Sequence, residues 1–212
     1  MLLYLIRHGE TEYNLQGRIQ GQIDTPLTAL GRKQAKSAAR RVKHVQFDAL
    51  YSSDLGRAIE TANEVSKTIG LEINRSTLLR ERNFGVLQGL TREEAASKFP
   101  EAANEWRKAD PAARIPEGES TLDVIARCNE FIQFLAANHP ENSTICAVCH
   151  GGSLRGLVLA MTKIPPELGR VFLFANASLS ILEIGKKTSI KLLNDTHHAE
   201  SLEVTERDED NA

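Results

Sequence analysis

Short apolar segments alternate with longer segments of helical periodicity along most of the chain, and this alternation strongly limits the possible folds. Residues 2–6 form a continuous apolar run, which is typical of a strand buried on both faces. Similar short runs recur at residues 49–51, 72–74 and 144–148, with amphipathic helical patterns between them. The alternation predicts an α/β fold, a three-layer sandwich whose mainly parallel central sheet has helices on both faces.

The remaining segments extend this prediction to a single domain at residues 1–205. Two β-like stretches, residues 180–184 and 189–193, flank Gly185-Lys-Lys and predict a hairpin. Thr28 is expected to start one helix and Gly70 to end the next. The acidic tail at residues 206–212 is expected to be disordered.

Composition excludes several classes of function. The 212 residues carry a formal net charge of -2, so no basic surface for nucleic acid or anionic membranes is expected. The first apolar run is too short for a signal peptide, and no run approaches the roughly 20 residues that span a bilayer. The three cysteines are best explained as buried reduced thiols. We therefore expect a cytoplasmic protein without membrane or nucleic-acid partners, either monomeric or homodimeric.

Chemically versatile side chains follow each of the four strands predicted to be parallel. In parallel α/β sheets, ligands bind beyond the carboxyl ends of the strands. The residues directly after each strand, called strand exits here, therefore indicate where a site would form. The residues at the exits are Arg7 and His8; Ser52, Ser53 and Arg57; Arg80, Glu81 and Arg82; and His150, Gly151 and Gly152.

Each of these residues also has a purely structural interpretation. Arg57 lies opposite the apolar stripe of its helix, where an arginine is usually solvated. Glu81 lies between two arginines and could belong to a surface ion pair of little energetic value. His150 could be a hydrogen-bonded histidine at a helix start. The agreement of four strand exits, rather than any single residue, favours a functional site.

The cluster suits phosphoryl transfer, which needs an in-line nucleophile and positive charge around the phosphoryl oxygens. His8 is the candidate nucleophile, since a neutral imidazole can form a covalent phosphohistidine. Arg7 and Arg57 would bind phosphate oxygens, and His150 would add a third cation if protonated. Glu81 would protonate the leaving group and then deprotonate water. No zinc-like spacing occurs and the arginines would repel a cation, so no metal or other cofactor is expected.

The motifs around these residues resemble the histidine phosphatase superfamily, which includes phosphoglycerate mutases. The resemblance extends over about residues 2 to 195. The matching segments are Leu5-Ile-Arg-His-Gly-Glu-Thr11, Asn14, Gln20-Gly-Gln-Ile-Asp-Thr-Pro-Leu27, Ser52-Ser-Asp-Leu-Gly-Arg-Ala-Ile-Glu-Thr-Ala62, Leu79-Arg-Glu-Arg-Asn-Phe-Gly85, Glu117-Gly-Glu-Ser120 and His150-Gly-Gly-Ser153.

The resemblance implies catalytic roles for a defined set of residues. His8 would be phosphorylated, Glu81 would transfer protons, and Arg7, Arg57 and His150 would form the phosphate pocket. The implied substrate contacts are Asn14, Gln20, Gly21, Ser52, Arg82 and the backbone at Gly151. The resemblance also implies a small helical cap insertion at about residues 84–116. Within it, Arg107, Lys108 and Arg114 could bind a second anion or simply face solvent, and Trp106 could pack the cap or line the substrate cleft.

Hydrolysis of a small phosphorylated metabolite is the activity that the resemblance favours. Mutases of the family that depend on 2,3-bisphosphoglycerate typically have Glu-Arg-His-Tyr-Gly, where this chain has Glu81-Arg-Asn-Phe-Gly85. A mutase of that type remains the alternative. A binding protein that has lost catalysis is a third possibility, but the complete catalytic set argues against it.

Overall fold

Six strands form one mixed sheet at the centre of the computed structural model, which describes residues 1–108, 110–185 and 188–199. The strands are β1 (Leu2–Arg7), β2 (Ala49–Ser53), β3 (Ile73–Ser76), β4 (Thr144–Cys149), β5 (Leu179–Glu183) and β6 (Ser189–Asp195). Their order is β3-β2-β4-β1-β5-β6. The first four are parallel, and β5 and β6 are antiparallel additions at one edge. The predicted mainly parallel sheet is confirmed, and so is the pairing of the last two strands.

Helices cover both faces of the sheet, as predicted. The helices are α1 (Glu12–Gln16), α2 (Ala29–Arg41), α3 (Gly56–Ile69), α4 (Arg92–Lys98), α5 (Pro100–Lys108), α6 (Thr121–Asn138) and α7 (Gly151–Thr162). Side chains of α2 and α3 share one buried apolar cluster with the sheet, and side chains of α6 and α7 share the other. Among the described residues, no helix has both the length and the apolar character needed to cross a bilayer.

Strand β4 shows why the sheet is buried on both sides. Cys146 and Val148 belong to the cluster on the α2/α3 face, whereas Ile145 and Ala147 belong to the α6/α7 face. This division follows from the two-residue alternation of side chains along a strand. Burial of each large aliphatic side chain contributes roughly 1.5–3 kcal/mol, so a strand that is apolar throughout is stable only in the central layer.

Local signals fix the ends of the helices that approach the site. Thr28 starts α2 as predicted, and its hydroxyl accepts a hydrogen bond from the N–H of Gly31 at 2.9 Å. Gly70 ends α3 with a left-handed φ of 76°. The third predicted strand is longer and shifted: β3 begins at Ile73 rather than Glu72 and continues to Ser76.

The segment after Glu81 has a small apolar cluster of its own. Helices α4 and α5 contribute Ala95, Ala102, Ala103 and Trp106, and loop residues contribute Ile19, Phe84, Leu87 and Ile115. The centroids of the Trp106 and Phe84 rings lie 5.5 Å apart. The Trp106 ring therefore contributes to the packing of this segment. The acidic tail predicted at residues 206–212 lies outside the described residues.

Candidate active site

The nucleophile candidate and the second histidine lie side by side because the strands that carry them are adjacent and parallel. Arg7 and Cys149 are partners in the register of β1 and β4. His8 and His150 follow them directly, and their ring centroids are 5.0 Å apart. Both rings are buried. The strand-exit prediction thus brought together two residues that are separated by more than half of the chain.

The hydrogen bonds of His8 determine which of its ring nitrogens carries the proton. Nδ1 lies 2.8 Å from the carbonyl oxygen of Gly9, which can only accept, so Nδ1–H is the donor. The lone pair is therefore on Nε2, which accepts from Nε of Arg57 at 3.3 Å. Burial, followed by the charges of Arg57 and Arg7, lowers the pKa of His8 well below its ordinary value of 6.5. The imidazole is neutral, with an unprotonated nitrogen toward the arginine.

Arg57 joins both histidines and is almost completely buried, at 1% exposure. Its Nε–H is shared between Nε2 of His8 and Nδ1 of His150, at 3.3 and 3.2 Å. The terminal nitrogens donate to the carbonyl oxygens of Gly21 and Ile23, at 2.6 and 2.9 Å. A permanently charged guanidinium is tolerated in the interior because these acceptors hold it. The interpretation of Arg57 as a solvated helix residue is therefore wrong.

His150 is neutral in this arrangement. Its Nδ1 accepts from Arg57, so Nε2 carries the proton and donates to Oγ of Ser53 at 2.8 Å. Burial, followed by the charge of Arg57, lowers the pKa of His150 well below 6.5. The positive charge of the pocket comes from arginine and not from a third, histidine cation. Both ring nitrogens are hydrogen-bonded, as they would be in a purely structural histidine. Their partners, Arg57 and Ser53, however, belong to the site itself.

Asn176 supports the backbone of the nucleophile from the side of β5. Its Nδ2 donates to the carbonyl oxygen of His8 and to Oδ1 of Asn14, each at 3.2 Å. The N–H of Ala177 donates to the same His8 carbonyl at 3.1 Å. Arg7 donates from a terminal nitrogen to the carbonyl oxygen of Phe174. The loop before β5 therefore fixes three predicted site residues: Arg7, His8 and Asn14.

A glycine pair brings the loop after β1 against helix α2. A Cβ on Gly9 would lie 2.3 Å from the carbonyl oxygen of Gly31, and a Cβ on Gly31 would lie 2.0 Å from that of Glu10. Both distances are far below any van der Waals contact, and the neighbouring atoms are backbone. The carbonyl of Gly9, which orients the His8 ring, is thus held by a contact that only glycine allows.

Glu81 reaches the start of the helix that follows His150. Its carboxylate accepts from the N–H of Arg82 at 2.7 Å and from the N–H of Gly152 at 3.1 Å. A Cβ on Gly152 would lie 2.2 Å from Oε1 of Glu81, so a side chain there would displace the carboxylate. Glu81 and His150 therefore lie at the same helix start, although 69 positions separate them in the sequence.

The two arginines beside Glu81 have other partners. Arg80 forms an ion pair with Asp54 at 2.6 Å. Arg82 donates to the carbonyl oxygens of Glu119 and Ala113, at 3.0 and 3.4 Å, and to Oγ1 of Thr121 at 3.2 Å. Glu81 itself is buried, so the interpretation of this residue as half of a surface ion pair is wrong.

The other predicted contacts occupy different positions around the pocket. Gln20 accepts from the Thr11 hydroxyl at 3.1 Å and donates to Thr25 at 2.6 Å. Gly21 has a left-handed φ of 55°, and its carbonyl oxygen accepts a hydrogen bond from Arg57. Gly151 is the first residue of α7, next to His150. Ser52 donates to the carbonyl of Ser53 at 2.8 Å. Its role as a substrate contact stays a prediction. The serine that contacts His150 is Ser53.

Sequence reasoning missed two residues of the site, Asn176 and Asp24, and it placed Ser53 at the end of its strand without predicting the contact with His150. Asp24 accepts from the N–H groups of Gly56 and Arg57 at the start of α3, the latter at 3.2 Å, and lies 3.6 Å from the Arg57 guanidinium. It therefore caps the helix that carries the central arginine. Its position just before Thr25-Pro26, in a turn-like sequence, was the only available signal.

The basic cap residues face solvent, one of the two alternatives that the sequence left open. Arg107, Lys108 and Arg114 are exposed. Lys108 pairs with Glu105 at 2.6 Å, and Arg114 pairs with Asp123 at 2.7 Å. In the part of the chain that the structure describes, no three His, Cys, Asp or Glu side chains are grouped to hold a metal ion.

Comparison with known proteins identifies the family of the chain. Residues 3–196 match the model of the histidine phosphatase superfamily (branch 1). The probable phosphoglycerate mutase GpmB of Proteus mirabilis is 38% identical, over 84% of this chain and 82% of that protein. The glucosyl-3-phosphoglycerate phosphatase of Mycobacterium tuberculosis is also 38% identical, over 79% of each chain.

Solved structures of other proteins are similar to this chain over most of its length. Bacillus stearothermophilus YhfR superimposes with a TM-score of 0.87 at 32% identity, over 94% of this chain and 99% of that one. The mycobacterial glucosyl-3-phosphoglycerate phosphatase complexed with VO3 gives a TM-score of 0.84 at 34% identity, over 92% and 99%. The chain belongs to the histidine phosphatase superfamily.

Proposed function

We propose that this histidine phosphatase hydrolyses phosphomonoesters through a covalent phosphohistidine on His8, with Glu81 as proton donor and acceptor. The tautomer of His8 carries the proposal. A ring that donates from Nδ1 to Gly9 and stays neutral presents the Nε2 lone pair as a nucleophile without prior loss of a proton.

In the first step, Nε2 of His8 attacks phosphorus and the bond from phosphorus to the ester oxygen breaks. The departing oxygen takes a proton from the Glu81 carboxyl, which has to be protonated at this stage, and leaves as an alcohol. The positive charge that forms on the imidazole is spread over the ring, and the Nδ1–H bond to the Gly9 carbonyl stabilises it.

In the second step, water attacks phosphorus on the face that the alcohol has left. The Glu81 carboxylate takes a proton from this water, and the phosphorus–Nε2 bond breaks to release inorganic phosphate. The N–H groups of Arg82 and Gly152 hold the carboxylate in one place for both proton transfers.

Arg7 and Arg57 supply the positive charge for both steps. In this structure the Nε–H of Arg57 is shared by two histidine nitrogens. Phosphate oxygens are stronger acceptors than these nitrogens, so we infer that a bound phosphoryl group takes over this donor and uncovers Nε2 of His8. Anion binding and exposure of the nucleophile would then be one event.

The substrate is a small phosphorylated metabolite, and no cofactor is required. The name of the mycobacterial relative, glucosyl-3-phosphoglycerate phosphatase, supports hydrolysis and a phosphorylated acid as substrate. Cys128, Cys146 and Cys149 are free and buried, and burial raises the pKa of the Cys128 thiol to about 12. Thiols of this kind suit a reducing compartment, so we place the enzyme in the cytoplasm.

Release of phosphate from p-nitrophenyl phosphate at mildly acidic pH tests the proposal. The wild type should turn over, and His8→Ala should lower kcat by at least about 10³-fold, because no nucleophile remains. The matched control is His44→Ala, which removes an exposed histidine and should leave kcat unchanged. Rapid quench into alkali should trap a phosphoryl group on the peptide that contains His8. Normal turnover by His8→Ala would refute the proposal, and a long-lived adduct with activation by 2,3-bisphosphoglycerate would indicate a mutase.

A further inference from the structure

A cavity lies beside Glu81, between the cap segment and the α6/α7 face of the sheet. Gly152 lines it, and the N–H of the same residue binds the Glu81 carboxylate. The 3₁₀ helix Pro166–Val171 closes its far side. The aromatic rings of Phe84 and Trp106 form one wall. His8 and Arg57 are not among its lining residues, so this cavity is distinct from the phosphate pocket.

Three arginines and two acidic residues line the cavity, and their depth differs. Arg82, Arg155 and Arg170 are half-buried, whereas Glu105 and Asp110 are exposed. Solvent screens the exposed carboxylates more strongly than the half-buried guanidinium groups. The arginines therefore lie deeper in the cavity than the carboxylates, which form an acidic rim.

The acidic residues also have partners outside the cavity. Glu105 pairs with Lys108 at 2.6 Å. A carboxylate oxygen of Asp110 accepts from the N–H of Ala112 at 2.9 Å. These contacts further reduce the negative potential that the rim contributes to the interior.

Backbone carbonyl groups hold the arginines in place. Arg155 donates from Nε and a terminal nitrogen to the carbonyl oxygen of Phe172, at 3.3 and 3.0 Å. Arg170 donates to the carbonyl oxygens of Arg107, at 3.2 Å, and Trp106. These carbonyl groups are among the partners that orient the two guanidinium groups. The cavity thus contains cations that are already ordered before a ligand binds.

The position of the cavity relative to Glu81 shows which part of a substrate would enter it. Under the proposed function, Glu81 protonates the departing oxygen, so the alcohol portion of the ester lies on the Glu81 side of the phosphorus. Gly152 and Arg155 are three positions apart on α7, and Gly156 completes the turn. The lining residues of α7 therefore extend along the helix for about one turn, roughly 5.4 Å, beyond the Glu81 contact.

We propose that this cavity binds a carboxylate at the far end of the leaving alcohol, with Arg155 and Arg170 as its specificity-determining residues. The proposal depends on the phosphatase function above and adds the class of substrate: phosphate esters of hydroxy acids longer than three carbons. The acidic rim disfavours a dianionic group, and the carbon chain would lie along the Phe84–Trp106 wall.

Matched pairs of substrates test the proposal. 6-Phosphogluconate and sorbitol 6-phosphate differ only in having a carboxylate or a hydroxymethyl group at the end far from phosphate. The ratio of their kcat/KM values should be at least about tenfold in favour of the acid, as expected for hydrogen bonds to a charged group. The shorter pair, 3-phosphoglycerate and glycerol 3-phosphate, should show a smaller ratio, because its carboxylate cannot reach the arginines.

Substitution of the arginines should remove this selectivity. In Arg155→Gln and Arg170→Gln the ratio should fall toward one, whereas Arg155→Lys should keep part of it because the charge remains. The ratio is measured within each variant, so a general loss of activity or stability cancels. The matched control is Arg41→Gln, which removes an arginine that pairs with Asp195 elsewhere on the surface.

The outcomes separate this proposal from the proposed function. If the wild type hydrolyses p-nitrophenyl phosphate and both six-carbon esters with a ratio near one, the carboxylate site is wrong and the phosphatase function stands. If the ratio is high in the wild type but unchanged in both glutamine variants, selectivity arises elsewhere and the assignment to these arginines fails. If the wild type releases phosphate from none of the esters, the proposed function itself fails.

Discussion

The phosphate pocket and the cavity beside Glu81 are held together by different kinds of contact. In the pocket, side chains from the ends of three strands bind one another, as Arg57 does with His8 and His150. In the cavity, long side chains from a helix and a 3₁₀ helix bind backbone carbonyls, as Arg155 does with Phe172. A change in the pocket therefore disturbs several functional groups at once. A change in the cavity removes one charge.

This difference suggests a division of roles between the two regions. The strand register sets the positions of the pocket residues, and burial makes their charges strong, so the pocket suits one reaction. The cavity is lined by elements outside the sheet and is half open to solvent, so its charges can change without altering the sheet. We therefore expect substitutions in the pocket to reduce the rate for every ester, and substitutions in the cavity to change the preference among esters.

The largest effect is expected for Arg57→Gln. The variant removes the charge that both histidines share and leaves the carbonyls of Gly21 and Ile23 with a weaker donor. We expect kcat/KM to fall about 10³-fold for every phosphate ester tested, because transition-state charge loses its main stabilising group. Steady-state kinetics with p-nitrophenyl phosphate and with alkyl phosphates measure this. Arg80→Gln is the matched control, since Arg80 pairs with Asp54 outside the pocket. An effect confined to one ester would contradict the division of roles.

A smaller and more selective effect is expected for Gly152→Ala, at the boundary between the two regions. The new methyl group would meet Oε1 of Glu81 and displace the carboxylate. We expect kcat to fall about 10–100-fold for glycerol 3-phosphate, whose alcohol needs a proton to leave, and much less for p-nitrophenyl phosphate, whose phenolate does not. Gly185→Ala is the control, because a Cβ there meets no atom within 4 Å. Equal losses on both esters would indicate that Glu81 does not act as the acid.

The smallest effect concerns stability and pH. Burial and the neighbouring arginines lower the pKa values of His8 and His150 below 6.5 in the folded state. As pH falls below 6.5, the unfolded chain binds protons that the folded chain does not, so the free energy of unfolding decreases. Above pH 6.5 this contribution is constant. The slope cannot exceed about 1.4 kcal/mol per pH unit for each histidine.

Urea unfolding between pH 8 and pH 5 measures this dependence. His8→Asn should have a shallower slope than the wild type below pH 6.5, whatever its absolute stability. His44→Asn, which replaces an exposed histidine, should keep the wild-type slope. An unchanged slope in His8→Asn would mean that His8 binds its proton over the same pH range in the folded and the unfolded chain. The lowered pKa of His8, on which its neutral state in the proposed reaction depends, would then be incorrect.

The positions of His8 and His150 were easier to predict from the sequence than those of the residues around them, for a physical reason. The carboxyl ends of parallel strands lie at one edge of the sheet, so the sequence could place His8 and His150 at the same edge, and the pairing of β1 with β4 then brings them together. Arg57 could be placed at the right edge, but its burial depends on Gly21 and Ile23 in a loop whose course no periodicity indicates.

The remaining differences between the predicted and the observed site arise from strand register and from packing between helices. The side chains of Ser52 and Ser53 point to opposite faces of a strand, and only the exact register shows that Ser53 reaches His150. Arg155 and Arg170 carry no motif, and they approach each other only through the packing of a helix against a 3₁₀ helix near the cap. Sequence reasoning turned instead to Arg107, Lys108 and Arg114, which are near one another in the chain but face solvent.

The contact between Gly9 and Gly31 has a consequence for how this protein can change over evolutionary time. A close contact between two side chains can usually be kept when one grows and the other shrinks. Here both positions already hold the smallest residue, and each glycine would bring its Cβ against backbone atoms. No compensating pair of substitutions exists, so neither position can drift by single steps while the His8 loop keeps its shape. We expect both glycines to persist in relatives that retain the reaction, even where the cap has diverged beyond alignment.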